Sequence, residues 1–313
     1  MQLDLMIEGQ EGVTWPQWLD IAHACEQHGI TTLFRSDHYM NLDGLDPQRP
    51  ALDALGTSIA LGAVTTKLRF GTMVSPATFR HPSVLAKLAV TADHVSGGRF
   101  ELGLGAGWHE REHAAYGFPY YDLKTRMDRF AEQLEIIHGT WMQSPFTFNG
   151  EHYQLDALDA QPRPVQQPHL PLLMGGNAGP RAAALAARFA DEYNTTAATP
   201  EAVRERKAAI DAACERTDRA PIPFSVMTPI IVGTDEADLL GRARAAARFR
   251  RMPEDSLDSE APPGWLRGTV EQVAEQIRTL ADVGVSRVLC QHLPHYDLET
   301  IEIIGTLLAP LVA

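Results

Sequence analysis

Cysteine is scarce in this chain and poorly placed for chemistry. The 313 residues hold three, Cys25, Cys214 and Cys290, widely separated and outside any CxxC spacing. Neither a disulfide framework nor a thiolate zinc site is expected from them. Long apolar runs are missing too: no segment approaches the ~18 uninterrupted apolar residues that a membrane span requires. The opening MQLDLMIEGQEG carries acids and no basic stretch of the kind that begins a secretion signal. The expectation is a cytoplasmic protein with no membrane partner. Basic charge is thin as well, with 27 Lys and Arg against 40 Asp and Glu and a formal charge of −13. No Lys/Arg run stands out against that background, so nucleic acid and anionic surfaces are disfavoured as partners.

What the chain has is the composition of a globular enzyme, 44% hydrophobic and 21% charged. β-rich runs alternate with helical patterns throughout. LDLMIE precedes an amphipathic stretch from Trp15 to His28, ITTLFR precedes ALDALGTSIALGAV, LRFGTMV precedes SVLAKLAVTADHV, and RFELGLG leads through a polar loop into RMDRFAEQLEIIHGTW. Four more units follow: LPLLMG with PRAAALAARFA, DEYNTT with PEAVRERKAAIDAACER, PFSVMTPIIVG with EADLLGRARAAARFR, and VSRVLCQHL with the terminal helical stretch. A further helix, between Val270 and Val283, stands before the eighth strand. Eight alternations favour a closed (β/α)8 TIM barrel, one domain over residues 1–313, rather than an open doubly wound sheet. Two insertions decorate it. TFNGEHYQL, with Asn-Gly between apolar and aromatic arms, predicts a small hairpin near 146–155. The aperiodic, Pro- and acid-rich segment near 250–266 predicts a long loop, either a lid or a plain connection.

Chemistry is expected where strands end, because a barrel holds those ends rigid while the loops vary. The second strand exits as LFRSDHYM, setting Asp37 and His38 at its end; the competing reading is an Asx turn with a capped His. An imidazole there can exchange a proton near neutral pH, with Asp37 orienting a neighbour or stabilising the imidazolium. GLGAGW, residues 103–108, departs from a dinucleotide fingerprint at Trp108, yet its glycines let backbone approach a flat ligand that Trp108 can wall off. MGGNAGPR places Gly175, Gly176 and Asn177 between a strand and a helix start, an anion-binding arrangement that an ordinary turn also resembles. HEREH, residues 109–113, matches a zinc-hydrolase pattern in letters, but its position at a strand exit favours a helix start with paired charges, and no metal is expected. GTMVSPATFRHP, holding Arg80, reads on its own as a loop whose Pro82 opens the next helix.

Taken together, RSDHYM, GTMVSPATFRHPSVLAKLAVTADHVSGGRFELGLGAGWHEREHAAYGF and PLLMGGNAGPRAAALAARFADEYN resemble the bacterial luciferase-like monooxygenase superfamily. Within it the chain looks most like the coenzyme F420-dependent oxidoreductases, a likeness shared by LMIEGQEGVTWPQW. The resemblance covers most of the chain, is strongest from residue 30 to 120 and fades after 195. It implies a barrel with the deazaflavin, or FMN in the alternative, at the carboxyl ends of the strands. It further implies a bulge at Met73–Val74 with a non-prolyl cis peptide against the ring, Thr72 and Ser75 flanking it, Gly107 and Trp108 on the ring or ribityl side, and Gly175, Gly176 and Asn177 on the phosphate. His38 matches the histidine near the hydride-transfer carbon. Related sugar-phosphate dehydrogenases carry a glutamate proton donor where Trp108 falls here, which argues against sugar-phosphate oxidation; Glu110 is the near substitute in sequence. Arg35, Arg80 and Arg111 are candidates to line the exit for the long F420 tail. The implied activity is hydride exchange with a small organic substrate, in the direction of reduction by F420H2, by a homodimer. The alternatives are an FMN monooxygenase, zinc hydrolysis at HEREH, and a barrel that binds without catalysis.

Overall fold

The computed structural model describes residues 1–42 and 49–313. Its elements run β1 (Gln2–Ile7), α1 (Trp15–His28), β2 (Thr32–Arg35), α2 (Ala54–Val64), β3 (Arg69–Pro76), α3 (Pro82–Ser96), β4 (Phe100–Gly105), α4 (Glu110–Tyr116) and α5 (Leu123–Met142). A hairpin of β5 (Phe146–Asn149) and β6 (Gln154–Leu158) follows, then β7 (Leu172–Gly175), α6 (Pro180–Phe189), β8 (Glu192–Thr196), α7 (Pro200–Arg216), β9 (Phe224–Gly233) and α8 (Glu236–Phe249). The chain ends with β10 (Leu266–Thr269), α9 (Val270–Asp282), β11 (Arg287–Gln291), α10 (Leu298–Glu302), a π-helical turn and α11 (Ala309–Val312).

The local signals are physical ones. A Thr14–Gln17 capping box and a first-turn proline start α1, and Gly29, in the left-handed region at φ 79°, ends it. Asp53 caps α2 by accepting from the Gly56 N–H at 2.7 Å. Parallel pairing runs β11–β1–β2–β3–β4–β7–β8–β9, and β9 pairs back to β11, so the sheet closes on eight strands. The expected (β/α)8 barrel is therefore the fold. Among the described residues no helix is long and apolar enough to cross a membrane.

Side-chain alternation sorts the barrel interior into layers. At the amino-terminal end Asp4, Glu101, Glu192 and Arg287 meet. Above them Met6, Phe34, Met73, Leu173 and Leu289 form a buried apolar plug. Two residues further on, Glu8 just past β1 and Gln291 at the end of β11 hydrogen-bond to each other directly above the plug. The strands thus deliver a sealed floor and a polar cup above it.

The polar stretch after β4 contains α4, which begins at the expected HEREH helix start. One element differs from the sequence expectation: the long segment after α8 ends in β10, which pairs with the far half of β9. At four residues it is too short to display a period. The 250–266 segment is fastened down. Leu257 is buried against Ile231, Leu239 and Ala243, Arg244 pairs with Asp258 at 2.7 Å, and the Thr228 hydroxyl donates to the Gly264 carbonyl at 2.5 Å.

Candidate active site

Four neighbouring strand ends supply the site in an arc: His38 after β2, Ser75 and Arg80 on and after β3, Gly107 and Trp108 after β4, and Gly175 to Asn177 at β7. At β3 the register against β4 slips between Thr72 and Ser75, and the Met73–Val74 peptide is cis. This irregularity sits where the family resemblance implied it. Thr72 and Ser75 are fully buried, and Thr72 donates to the Gly103 carbonyl at 3.1 Å. The Val74 side chain occupies space that neighbouring glycines leave open: a Cβ on Gly105 or Gly175 would lie 2.7 or 2.9 Å from its methyls. The bulge and the glycines on β4 and β7 are therefore one steric unit.

His38 owes its setting to a residue the sequence reading passed over. Its Nδ1 lies 2.7 Å from Oε2 of Glu112, whose other oxygen accepts the Tyr39 backbone N–H at 2.5 Å. Glu112 is completely buried and the His38 side chain is 11% exposed. An ionised carboxylate only accepts, so the Nδ1 hydrogen belongs to this bond and Nε2 is the ring nitrogen left for chemistry. Burial alone would depress the imidazole pKa. The bond to Glu112 and the charges of Glu112, Glu8 and Asp37 together outweigh it, and the pKa lies above the ordinary histidine value.

Asp37 does a different job from its neighbour. Its carboxylate accepts from Ser75 Oγ at 2.6 Å and from both Arg80 terminal nitrogens, at 2.5 and 3.1 Å. Arg80 also reaches Asp53 at 2.7 Å. Asp37 thus clamps the β2 exit to the β3 bulge and to the cap of α2, and it reaches His38 through its charge. Arg35 is likewise engaged, donating to the Leu52 carbonyl at 2.8 Å and lying over Trp18. Of the three arginines considered for a cofactor tail, Arg35 and Arg80 are held inside the protein. Arg111 is exposed and donates to the Asn41 carbonyl at 3.2 Å.

Trp108 is 61% exposed and sets an edge against His38, ring centroids 6.0 Å apart. Gly107 before it takes φ 79°, and a Cβ there would sit 2.6 Å from Thr78 Oγ1, so the turn requires glycine twice over. Farther round the arc, Gly176 and Asn177 are exposed ahead of α6, which starts without a capping side chain. Ala178 donates its N–H to the Tyr193 hydroxyl at 2.9 Å, which fixes the loop from below. An uncapped helix start behind an exposed glycine turn suits a phosphate group.

HEREH is a helix start: His109 occupies the N-cap position of α4. His113 uses both ring nitrogens internally, with Nδ1 2.7 Å from the His109 carbonyl and Nε2 2.7 Å from Thr78 Oγ1. Among the described residues no three His, Cys, Asp or Glu side chains are grouped to hold a metal. Glu110, the nearby acid considered in place of a proton donor, is exposed, whereas Glu112 is turned inward. The signal was present in the spacing, since 109, 112 and 113 share one helical face and 110 and 111 fall on another.

Comparisons with known proteins bear on the fold and the family. Residues 4–287 match the model of the luciferase-like monooxygenase family. An F420-dependent glucose-6-phosphate dehydrogenase of Nakamurella multipartita is 30% identical over 303 residues, spanning 89% of this chain and 86% of that protein. An FMNH(2)-dependent dimethylsulfone monooxygenase of Pseudomonas putida is 27% identical over 322 residues, spanning 93% and 86%. Among solved structures, an F420-dependent secondary alcohol dehydrogenase in complex with an F420-acetone adduct superposes over all of this chain and 99% of its own, with a TM-score of 0.83 at 18% identity. On the family match over residues 4–287, the chain belongs to the luciferase-like monooxygenase family.

Proposed function

We propose that this enzyme transfers a hydride between coenzyme F420 and a small organic substrate, in the direction of substrate reduction by F420H2, with His38 managing the proton. The observation that carries the reading is the buried His38–Glu112 pair at the barrel mouth. Adding hydride to a carbonyl or activated double bond leaves an atom that needs a proton, and a histidine whose pKa is raised holds its proton to higher pH than an ordinary one. The 30% identical F420-dependent relative supports the choice of cofactor.

The residues present fit such a group. The Met73–Val74 bulge, with Thr72 and Ser75 behind it, offers a wall for a flat ring, Gly107 and Trp108 a flank, and Gly175, Gly176 and Asn177 a phosphate cradle; Arg111 is available to an acidic tail. When bound, the deazaflavin supplies the hydride, and the protein supplies orientation, a proton and exclusion of water. Asp37 keeps the bulge and the His38 loop in register through Ser75 and Arg80. In this reading the protein is a cytoplasmic homodimer.

A second reading, an FMN monooxygenase, is favoured by two observations: the FMNH(2)-dependent relative spans 93% of the chain, and Arg35 and Arg80 are both engaged, leaving less basic surface for a long tail. Equilibrium binding of F420 and FMN to the purified protein separates the two. Tighter F420 binding, with F420H2 oxidation that depends on His38, is expected. Tighter FMN binding with oxygen-dependent turnover overturns the proposal.

A further inference from the structure

Directly above the apolar plug, the barrel axis presents a carboxylate. Asp4 and Met6 of β1 and Glu8 just beyond it alternate inward, as Arg287, Leu289 and Gln291 do along β11, so Glu8 and Gln291 line the cup floor directly above the plug. The two Glu8 oxygens accept from amides, Oε2 from Gln10 Nε2 at 2.6 Å and Oε1 from Gln291 Nε2. Gln10 is itself bonded to Ser36 Oγ, which also accepts the Gly9 N–H at 2.9 Å. This chain of amides fixes Glu8 beside the loop that carries His38, with no direct ion pair among the described residues; through its charge Glu8 acts on Arg35 and His38. The guanidiniums on that side, Arg35 and Arg80, are engaged by carbonyls and by Asp37 and Asp53.

Resting on the reading of His38 as the proton-bearing group, we infer that the site takes uncharged alcohols, aldehydes, ketones or enones and rejects phosphorylated and carboxylated ones, with Glu8 setting that preference from the cup floor. A carboxylate whose direct partners are neutral amides, inside a partly desolvated cup, repels an anion far more than it would in water. The same oxygens accept a hydrogen bond from a substrate hydroxyl. The preference separates this chain from a sugar-phosphate dehydrogenase without altering the chemistry at His38.

The test is a titration of the F420-loaded enzyme with inorganic phosphate and with cyclohexyl phosphate, read on the His38 ring resonances by NMR. In the unmodified protein neither anion should saturate those resonances in the millimolar range. Glu8→Gln should bind both roughly tenfold or more tightly, while Glu8→Asp, which keeps the charge, should follow the unmodified protein. Saturation of the unmodified protein by either anion, or an equal response of the unmodified and Glu8→Gln proteins including no response in both, overturns the proposal. F420 occupancy is followed separately by deazaflavin fluorescence. A protein that fails to take up F420 refutes the cofactor reading, and the anion titration then still decides the role of Glu8.

Discussion

The barrel buries charge at both ends, and it does so in opposite ways. Below the plug, three carboxylates converge on one cation: Arg287 reaches Asp4 at 2.5 Å, Glu192 at 3.0 Å and Glu101 at 3.1 Å, and lies over the Phe34 ring. Burial pushes the carboxyls of Asp4 and Glu192 up against the opposing pull of Arg287. Four strands from around the barrel are joined at one point. Above the plug the charges are separated: Arg80 takes Asp37 and Asp53, amides take Glu8, and Glu112 is left to the imidazole of His38. The first arrangement uses charge to close the barrel, and the second distributes it so that one group stays protonatable.

Removing the shared cation is the severest way to break this contrast. Arg287→Met leaves Asp4 and Glu192 without their cation, while Glu101 keeps Arg69 at 2.7 Å, and should destabilise the protein by about 3–5 kcal/mol. A lowered midpoint in urea unfolding followed by circular dichroism would show it, and an unchanged midpoint would remove the idea that this cluster holds the barrel together. His38→Ala probes the upper end. It should lower kcat/KM for F420H2 oxidation by roughly 10²- to 10⁴-fold while moving the urea midpoint far less than Arg287→Met does. Comparable losses of stability in the two variants would make His38 a structural residue.

Glu112→Gln sharpens the upper half of the comparison. The neutral amide still accepts the Tyr39 N–H but no longer favours the imidazolium, so the His38 pKa should fall. Because the folded pKa is raised, the stability His38 contributes is fully present below the ordinary imidazole value and is lost as pH rises through the folded value. In Glu112→Gln that alkaline loss should shrink, and the alkaline limb of the pH–rate profile should move toward lower pH, with roughly tenfold less activity above neutrality. NMR titration of His38 in both proteins checks the sign directly. An unmoved pKa would mean that Glu112 merely supports the loop.

These contrasts also mark what could be read from the sequence. Period-2 and period-3.6 runs announced the eight strands and most helices, because each buries a whole face against the barrel and so repeats its apolar positions. Asp37 and His38 were legible by their place at a strand exit. Glu112 was harder: the spacing puts it on one helical face with His109 and His113, but it stood beside Glu110 and Arg111 as one of three charged residues, and only the packing of α4 against a loop 74 residues earlier in the chain selects it for burial. The same holds for Glu8, which alternation turns inward but only Gln10 and Gln291 hold in place. Asp37, next in sequence to His38, took a partner on another strand because its side chain and that of His38 leave the turn in different directions.

Trp108 should give the smallest effect and the finest discrimination. The ring is mostly exposed, its edge meets His38 and His109, and the Tyr120 hydroxyl donates to its carbonyl at 2.9 Å, a backbone bond that survives any side-chain change. Trp108→Ala should therefore move stability by no more than about 0.5 kcal/mol. Its cost should fall on KM by a few-fold, with kcat nearly kept, because a flanking wall contributes to holding the bound molecule in both ground and transition states. Steady-state kinetics at several substrate concentrations would reveal the split. A loss confined to kcat would instead place the indole in contact with the proton-transfer geometry at His38, and the division between a charge-defined floor and an aromatic rim would have to be redrawn.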